Sequence, residues 1–154
     1  MRAVLTRVKS ASVTIDGNVV GKIGQGFLIL LGVTHEDTEA QAVKLADKLV
    51  GLRIFEDEDG KMNRGLETVD GEILVVSQFT LYGNCRKGRR PSFAEAANPE
   101  LGNELYEKFL SICEELGYPP QHGRFGADMQ VASVNDGPVT LILDTKQLME
   151  TPRR

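Results

Sequence analysis

The stretch G-F-L-I-L-L-G-V, from Gly26 to Val33, carries no polar side chain. A strand with one solvated face alternates apolar and polar residues, and this run does not alternate. It therefore predicts a strand covered on both faces, which places it at the centre of a sheet. The rest of the fold can be worked out on either side of this strand.

Strands also dominate the residues before the central run. Residues 2–8 mix apolar and polar side chains as a strand does, and residues 10–23, S-A-S-V-T-I-D-G-N-V-V-G-K-I, are typical of a hairpin. Asp16 and Gly17 supply the positive φ that a tight hairpin turn requires. Antiparallel strands are therefore expected to precede the central one.

Two helices are predicted after the central run. Residues 37–50 place apolar side chains at the helical period and acidic side chains in the first turn, where they favour the helix dipole. Residues 99–116 follow Asn98, a good N-cap, and begin with Pro99, which suits the first helical position. Gly117 is expected to end this second helix.

Short apolar runs predict four more strands, at residues 52–55, 72–82, 129–134 and 139–144. Between them, E-D-E-D-G at residues 56–60 is rich in carboxylates. Its spacing lacks the alternation and the distant glutamate of a calcium-binding EF-hand loop, so a solvated turn is favoured.

Size and composition are those of one compact domain. The chain has 154 residues, of which 41% are hydrophobic and 26% charged, values that are ordinary for a globular protein. We predict a single α+β domain over residues 1–147, with a mainly antiparallel, curved or barrel-like sheet and two main helices. Residues 148–154 are predicted to form a flexible tail.

Charge and cysteine content narrow the class of partner. A net charge of -4 argues against a general nucleic-acid coat, so any RNA contact must be local, and no DNA partner is expected. Cys85 and Cys113 lie far apart, which suggests neither a disulfide framework nor a zinc site and suits a reducing compartment. No apolar stretch has the length needed to span a membrane, so a soluble, cytoplasmic protein without a membrane partner is predicted.

The sequence has few residues typical of catalysis. His35 and His122 are its only histidines, and no zinc-protease, P-loop or dinucleotide motif occurs, so neither a metal nor a cofactor is predicted. The strand end S-Q-F-T-L-Y brings together Ser77, Gln78 and Thr80, which are awkward to bury. A serine triad would require His122 and a carboxylate beside Ser77, and nothing in the spacing indicates that arrangement.

A second unusual stretch is V-N-D-G-P-V-T, residues 134–140. Gly-Pro can neither fill a core nor complete a sheet ladder, yet it lies between two apolar runs. Taken alone, the stretch predicts a tight turn in which Asn135 and Asp136 make local hydrogen bonds. Taken alone, S-Q-F-T-L predicts a strand that ends at a polar rim.

Together, S-Q-F-T-L and N-x-G-P-x-T resemble the two motifs of the D-aminoacyl-tRNA deacylase family, also called the D-tyrosyl-tRNA(Tyr) deacylase family. The resemblance covers nearly the whole chain and includes R-V-K-S-A-S-V, G-F-L-I-L-L-G-V, R-K-G-R-R-P-S-F and G-R-F-G-A-D-M-Q-V. Members of this family hydrolyse the ester that joins a D-amino acid, or glycine, to the terminal adenosine of tRNA. The resemblance implies the same activity here, with aminoacyl-tRNA as the partner.

The resemblance also implies a role for the Gly-Pro stretch. In the family this peptide bond is cis and protrudes into the active site of the other subunit, where backbone oxygens face the chiral centre of the substrate. Gly137 and Pro138 are then expected to exclude L-amino acids, together with Asn135 of the same motif. Arg7 matches the arginine that orients the Gly-Pro carbonyls, although alone it would be interpreted as an exposed strand residue. A homodimer is implied.

The family assigns the chemistry to the other motif. Ser77, Gln78 and Thr80 are expected to stabilise an oxyanion and position water, while the ribose 2'-hydroxyl of the substrate helps to activate that water. Phe79 is expected to stack on the terminal adenine. Thr80 either orients the substrate or attacks it. The first role is favoured because no adjacent base is visible.

A basic run is the predicted contact with tRNA phosphates, and a solvated loop is its alternative interpretation; the run comprises Arg86, Lys87, Arg89 and Arg90. Two rival functions remain at this point. Relatives with altered Gly-Pro geometry edit L-amino acids on tRNA, and some distant relatives are suggested to be non-enzymatic nucleic-acid-binding modules.

Overall fold

The structure is a computed structural model, and it describes residues 1–150. The strands are β1 (Arg2–Ile15), β2 (Asn18–Ile23), β3 (Gly26–Gly32), β4 (Phe55–Glu56), β5 (Met62–Arg64), β6 (Glu72–Ser77), β7 (Gln121–His122) and β8 (Gln130–Asp144). The helices are α1 (Glu39–Val50), α2 (Leu66–Val69), α3 (Pro99–Glu115) and α4 (Thr145–Leu148), with a 3-10 helix at Phe79–Tyr82.

The main sheet is mixed and curls into a nearly closed barrel. Its strand order is β2-β1-β3-β6-β7, and β8 pairs with the other edge of β1. β1 is antiparallel to β2, β3 and β8, whereas β6 is parallel to β3 and β7. The first and last strands of this order, β2 and β7, lie close together: a Cβ at Gly21 of β2 would lie 2.8 Å from the His122 carbonyl oxygen of β7. The predicted barrel-like α+β class is confirmed.

The central strand β3 separates two apolar clusters. Phe27, Ile29 and Leu31 pack into the larger cluster with side chains from α1 and α3. Leu28 points to the opposite face and joins a smaller cluster whose buried members all come from strands. Coverage on both faces explains why the sequence of this strand does not alternate.

The helix boundaries follow local capping. Thr38 caps α1 in a reciprocal capping box with Gln41, so α1 begins two residues later than the predicted residue 37. Asn98 caps α3 by accepting from the backbone N–H of Leu101, as the sequence predicts. Gly117 follows α3 with a φ of 95°, the left-handed conformation that favours glycine after a helix.

The predicted strand at residues 72–82 is wrong in its second half. β6 ends at Ser77, and the chain then turns into the 3-10 helix. The backbone N–H of Gln78 donates to the Leu31 carbonyl (2.8 Å), and the N–H of Leu81 donates back to the Gln78 carbonyl (3.2 Å). The first bond is the last rung of the β3–β6 ladder, and the second begins the 3-10 turn. The strand predicted at 52–55 is also largely wrong, because β4 comprises Phe55–Glu56 and shares only Phe55 with it. In the described part of the chain, β4 pairs with β5 alone, in a separate hairpin.

The two final strands predicted from sequence form one strand, β8, from which a loop protrudes. Thr140 pairs with Thr6, and Asn135 pairs with Val8, so a single β1 residue stands opposite residues 136–139. Those four residues therefore leave the ladder. We call residues 136–139 the gate loop.

The predicted tail, residues 148–154, lies only partly within the described residues. Leu148 lies in α4 and Met149 caps it, whereas residues 151–154 of the predicted tail lie outside the described residues, so the tail stays a prediction. Within residues 1–150, none of the helices combines the length and the apolar character that crossing a membrane requires.

The two cysteines differ in environment, which gives a first testable prediction. Cys85 is exposed, whereas Cys113 is buried on α3, and burial raises the pKa of the Cys113 thiol to about 12. Since the thiolate is the reactive form, iodoacetamide in mildly alkaline buffer should modify Cys85 alone in the folded protein. Mass spectrometry should find Cys113 modified only after denaturation, and a Cys85→Ser variant should stay unlabelled until unfolded.

Candidate active site

The polar side chains of the first motif meet where β6 passes into the 3-10 helix. We call residues 77–80 the catalytic turn, after the role that the resemblance predicts for them. The side-chain amide of Gln78 donates to the hydroxyl of Thr80. The first donor of the 3-10 helix is the N–H of Leu81, which bonds to the Gln78 carbonyl, so the earlier N–H groups of Phe79 and Thr80 have no partner within this helix. Two such donors beside an oriented hydroxyl suit stabilisation of an oxyanion.

An aromatic pair lies beside the catalytic turn. Phe79 is 56% exposed, and its ring contacts Phe93 edge to face, with centroids 5.2 Å apart and planes at 76°. Gly83 permits this packing, because a Cβ there would lie 3.0 Å from Cε1 of Phe93. The exposed ring offers a surface on which a flat base can stack. Sequence reasoning missed Phe93, and only its place after the basic run hinted at proximity to the site.

The basic run forms an arm next to this pair. Asn84 and Ser92 exchange two backbone hydrogen bonds of 2.7 and 2.8 Å, which close the base of the arm. The four predicted phosphate-binding cations are all exposed between these residues, and they are Arg86, Lys87, Arg89 and Arg90. The arm thus begins two residues after the 3-10 helix and places positive charge near the catalytic turn.

The side chain of Asn135 forms two hydrogen bonds within the second motif. The Asn135 side chain accepts from the backbone N–H of Val139 (3.0 Å) and donates to the Thr140 hydroxyl (3.1 Å). The Asn and Thr of N-x-G-P-x-T therefore close the base of the gate loop, which accounts for their spacing. The peptide bond between Gly137 and Pro138 is cis, as the resemblance implies.

Arg7 lies beneath the gate loop and is only 5% exposed. Its Nε donates to the Asp136 carbonyl (2.9 Å), and its Nη1 donates to the Ile54 carbonyl (2.7 Å). The carbonyl that Arg7 binds in the loop is that of Asp136, directly before Gly137, and its predicted role in orienting the Gly-Pro carbonyls stays a prediction. The interpretation of Arg7 as an exposed strand residue is wrong, because the protruding loop covers it.

The two motifs do not meet within one chain. Ser77 lies in register with Leu31 and Ala3 across the sheet, whereas Arg7, beneath the gate loop, lies four residues further along β1. β6 and β8 are three strand spacings apart, about 14 Å, and four residues add roughly 13 Å along the strand. The catalytic turn and the gate loop are therefore separate features of a single chain.

His122 does not form the triad considered from the sequence. β7 places it beside Val75, and its Nδ1 lies 2.7 Å from the carbonyl oxygen of the next residue, Gly123. Among the hydrogen bonds of residues 1–150, none joins His122 to Ser77. In the same part of the chain, no three side chains of His, Cys, Asp or Glu come together as a metal site requires.

Comparison with known proteins agrees with the resemblance. Residues 4–144 match the family model described as D-Tyr-tRNA(Tyr) deacylase. The chain is 61% identical over 144 residues to the D-aminoacyl-tRNA deacylase of Exiguobacterium sibiricum, and the matched region covers 94% of this chain and 99% of that one.

Solved structures show the same fold. One, the c-Myc DNA Unwinding Element Binding Protein, superposes with a TM-score of 0.87 at 40% identity and covers 99% of this chain and 100% of that one. Another, described as a probable eukaryotic D-amino acid tRNA deacylase, has a TM-score of 0.78 at 19% identity and covers 92% of this chain and 97% of that one.

The fold and the match over nearly the whole chain are those of a hydrolase that edits aminoacyl-tRNA. Its substrates are D-aminoacyl esters of tRNA, and aminoacyl-tRNA is accordingly its partner. The chain belongs to the D-Tyr-tRNA(Tyr) deacylase family.

Proposed function

We propose that the protein acts in the cytoplasm as a homodimer in which the gate loop of each subunit enters the active site of the other. Its backbone there restricts hydrolysis to D-aminoacyl and glycyl esters. The observation that carries this proposal is the separation of the gate loop from the catalytic turn within one chain. If both motifs serve one site, a second copy must supply one of them.

The free side of β8 supports such an assembly. Among residues 1–150, β1 is the one strand that pairs with β8, and apolar side chains on β8 are exposed, including Val131, Val134 and Ile142. A long strand with an open edge and exposed apolar residues is normally covered by another element or another chain. A two-fold axis that brings two such strands together is compatible with each gate loop lying against the other subunit.

A backbone gate suits the selection of handedness. Main-chain oxygens cannot rotate away as a side chain can, and the loop is fixed at its base by Asn135 and from below by Arg7. An L-amino acid directs its side chain at these oxygens, whereas a D-amino acid directs it away and glycine has none. The filter rejects L-amino acids without recognising any particular D side chain.

The catalytic turn supplies the chemistry in this proposal. An aminoacyl ester is already activated, so the main need is to stabilise the oxyanion, an effect of roughly 3–4 kcal/mol per well-placed donor. The Thr80 hydroxyl is held by Gln78 and has no histidine or carboxylate partner among the hydrogen bonds of residues 1–150. We therefore assign it to orienting the substrate. The substrate's own 2'-hydroxyl activates the water, and Phe79 stacks on the terminal adenine.

The decisive experiment compares D-tyrosyl-, glycyl- and L-alanyl-tRNA as substrates for the purified protein. The first two should be hydrolysed, and the L-ester should react at least about 100-fold more slowly, a discrimination of roughly 2.7 kcal/mol. Equal hydrolysis of L-alanyl-tRNA would instead identify an L-editing enzyme. Binding of tRNA that leaves all three esters intact would identify a nucleic-acid-binding module.

Dimerisation has its own prediction. Ile142 is 72% exposed, so Ile142→Asp should leave the subunit core intact while placing a charge in the proposed interface. Analytical ultracentrifugation should show a monomer, and D-tyrosyl-tRNA hydrolysis should fall with it. The matched control is Val43→Asp on α1, where the side chain is 46% exposed; this variant should stay dimeric and active. A dimeric, active Ile142→Asp would refute the interface.

The basic arm is proposed to contact tRNA phosphates. Replacing both Arg86 and Arg89 with alanine should raise KM for D-tyrosyl-tRNA and leave kcat unchanged, because these contacts form equally in the ground and transition states. The slope of log affinity against log salt should become shallower by about 0.7–0.9 for each phosphate that the variant no longer binds. Replacing Lys44 and Lys48 of α1 removes the same charge and should change neither quantity.

The same assay tests the prediction that DNA is not a partner. A structural neighbour is named as a DNA-element binding protein, so duplex DNA should be added as a competitor at increasing concentration. It should inhibit hydrolysis only as weakly as any polyanion does, and inhibition should vanish as salt rises. Tight, salt-resistant competition would contradict the prediction.

A further inference from the structure

The carboxylate-rich turn E-D-E-D-G lies in a hairpin outside the main sheet. Within residues 1–150, β4 and β5 pair only with each other. Four carboxylates follow one another at residues 56–59, the first on the last residue of β4 and the other three in the turn. Nothing in the catalytic turn or the gate loop uses these carboxylates directly. We call residues 54–64, which contact Arg7 through Ile54 and Glu56, the brace hairpin.

We propose that the brace hairpin positions Arg7 and, through Arg7, the gate loop, so that discrimination between D- and L-aminoacyl esters depends on Asp57. Asp57 is then a positioning residue and touches no substrate. The inference rests on the proposed function of the gate loop, and it adds an element of specificity that neither sequence motif contains.

The first link runs through the core beside Arg7. Arg7 on β1 and Phe27 on β3 are cross-strand partners, and the ring of Phe55 stacks on Phe27 with centroids 5.5 Å apart and planes at 7°. Phe55 is buried, so the first strand of the brace hairpin is fixed next to Arg7. The residue before it, Ile54, offers its carbonyl to Nη1 of Arg7 at 2.7 Å.

The second link is the position of the guanidinium between the hairpin and the gate loop. The Ile54 carbonyl and the Glu56 carboxylate (3.8 Å from Nη2) belong to the hairpin, whereas the Asp136 carbonyl and carboxylate (2.9 and 3.8 Å from Nε) belong to the loop. A buried cation needs such partners, and here each side supplies a carbonyl and a carboxylate. Arg7 therefore connects the two elements.

The loop has little space in which to tolerate a shift of Arg7. A Cβ built on Gly137 would lie 3.0 Å from Nη2 of Arg7 and 2.8 Å from the Val139 side chain. The guanidinium thus lies directly against the glycine of the gate. Any displacement of Arg7 by the hairpin reaches the backbone that faces the substrate.

The third link is Asp57, which shapes the turn. Its carboxylate accepts from the backbone N–H groups of Asp59 (2.9 Å) and Lys61 (3.0 Å) and from the side-chain amide of Asn63 (2.7 Å). The bond from Asn63, followed by that from Lys61, lowers the pKa of Asp57. One carboxylate thus holds both strands of the hairpin in register, and with them Ile54 and Glu56.

The test compares Asp57→Asn with Asp59→Asn. Both variants remove one negative charge from the same turn without changing side-chain shape, but Asp59 joins the network through its backbone N–H, which the substitution retains. The ratio of kcat/KM for D-tyrosyl- over L-tyrosyl-tRNA should fall at least about tenfold in Asp57→Asn, mainly because L-ester hydrolysis rises. The ratio should stay at the wild-type value in Asp59→Asn.

A second measurement separates this inference from the proposed function. Exchange of the Arg7 Nε–H with solvent, followed by NMR and assigned with Arg7→Lys, should be faster in Asp57→Asn than in wild type and unchanged in Asp59→Asn. Suppose that the wild-type protein hydrolyses neither ester, so that the proposed function fails. Faster Nε–H exchange in Asp57→Asn than in wild type would then still support the positioning of Arg7 by the brace hairpin.

An active Asp57→Asn enzyme with an unchanged D/L ratio overturns the inference, and so does unchanged Nε–H exchange. If Asp57→Asn does not fold, Asn63→Ala removes only the 2.7 Å bond to Asp57. The same criteria then apply to that variant, with a smaller expected change.

Discussion

Replacing Gly137 with alanine is expected to lower kcat/KM for D-tyrosyl-tRNA by about 100-fold and the free energy of unfolding by roughly 1–3 kcal/mol. Gly137 has a φ of 134°, a conformation that residues with a Cβ rarely adopt. The substitution therefore strains the backbone at the position proposed to face the substrate.

Crowding adds to this strain. The new Cβ would lie 2.8 Å from Cγ2 of Val139, 3.0 Å from the Val139 backbone nitrogen and 3.0 Å from Nη2 of Arg7. The backbone nitrogen is held by Asn135, and Arg7 is held by Ile54 and Asp136, so neither neighbour can move without losing a hydrogen bond. The gate loop itself must shift, and the substrate then meets a displaced backbone.

A control substitution at another glycine with a positive φ separates the effect of backbone strain in general from damage to the gate loop. Gly17, in the turn between β1 and β2, has a φ of 78°, and a Cβ there would meet no atom within 4 Å. Gly17→Ala should lower stability by about 1 kcal/mol and leave kcat/KM unchanged. Thermal unfolding and deacylation rates of both variants provide the measurement. Full activity in a folded Gly137→Ala would show that the gate loop lies outside the site.

Local sequence patterns predict much of the scaffold because the responsible contacts are local or repeat along the chain. The unbroken apolar run of β3 reflects two covered faces, and Asn98 and Gly117 bound α3 through hydrogen bonds and dihedral angles within one helical turn. The protruding gate loop is marked by Gly-Pro, which cannot continue a ladder. These features depend on residues close together in sequence.

Contacts between distant backbone groups are what the sequence does not reveal. The last rung of the β3–β6 ladder joins the N–H of Gln78 to the Leu31 carbonyl on β3, and no side-chain pattern records that the ladder ends there. Arg7 taken alone is interpreted as an exposed strand residue because it is charged. In the structure it lies on the same face of β1 as the buried Ala3 and Leu5 and is itself buried against the carbonyls of Ile54 and Asp136. Backbone acceptors are the same for every residue type, so the resemblance, rather than the pattern, singled out Arg7.

Mixing two defective variants is expected to restore activity if the gate acts across subunits. Thr80→Ala should lower kcat by about 100-fold, since it removes the hydroxyl that Gln78 holds in the catalytic turn. Gly137→Ala damages the gate loop instead. Both active sites are therefore defective in each homodimer. In the Thr80→Ala homodimer the catalytic turn is defective, and in the Gly137→Ala homodimer the gate loop is.

A heterodimer of these variants distributes the defects unequally. If the gate comes from the other subunit, the Gly137→Ala subunit has an intact turn and receives the intact gate of the Thr80→Ala subunit. Its partner's site carries both defects, so two-fold symmetry predicts about half of the wild-type activity. Heterodimers isolated with two different C-terminal tags and assayed on D-tyrosyl-tRNA provide the measurement. If each chain instead uses its own gate, both sites of the heterodimer stay defective, and its activity remains at the level of the parent variants.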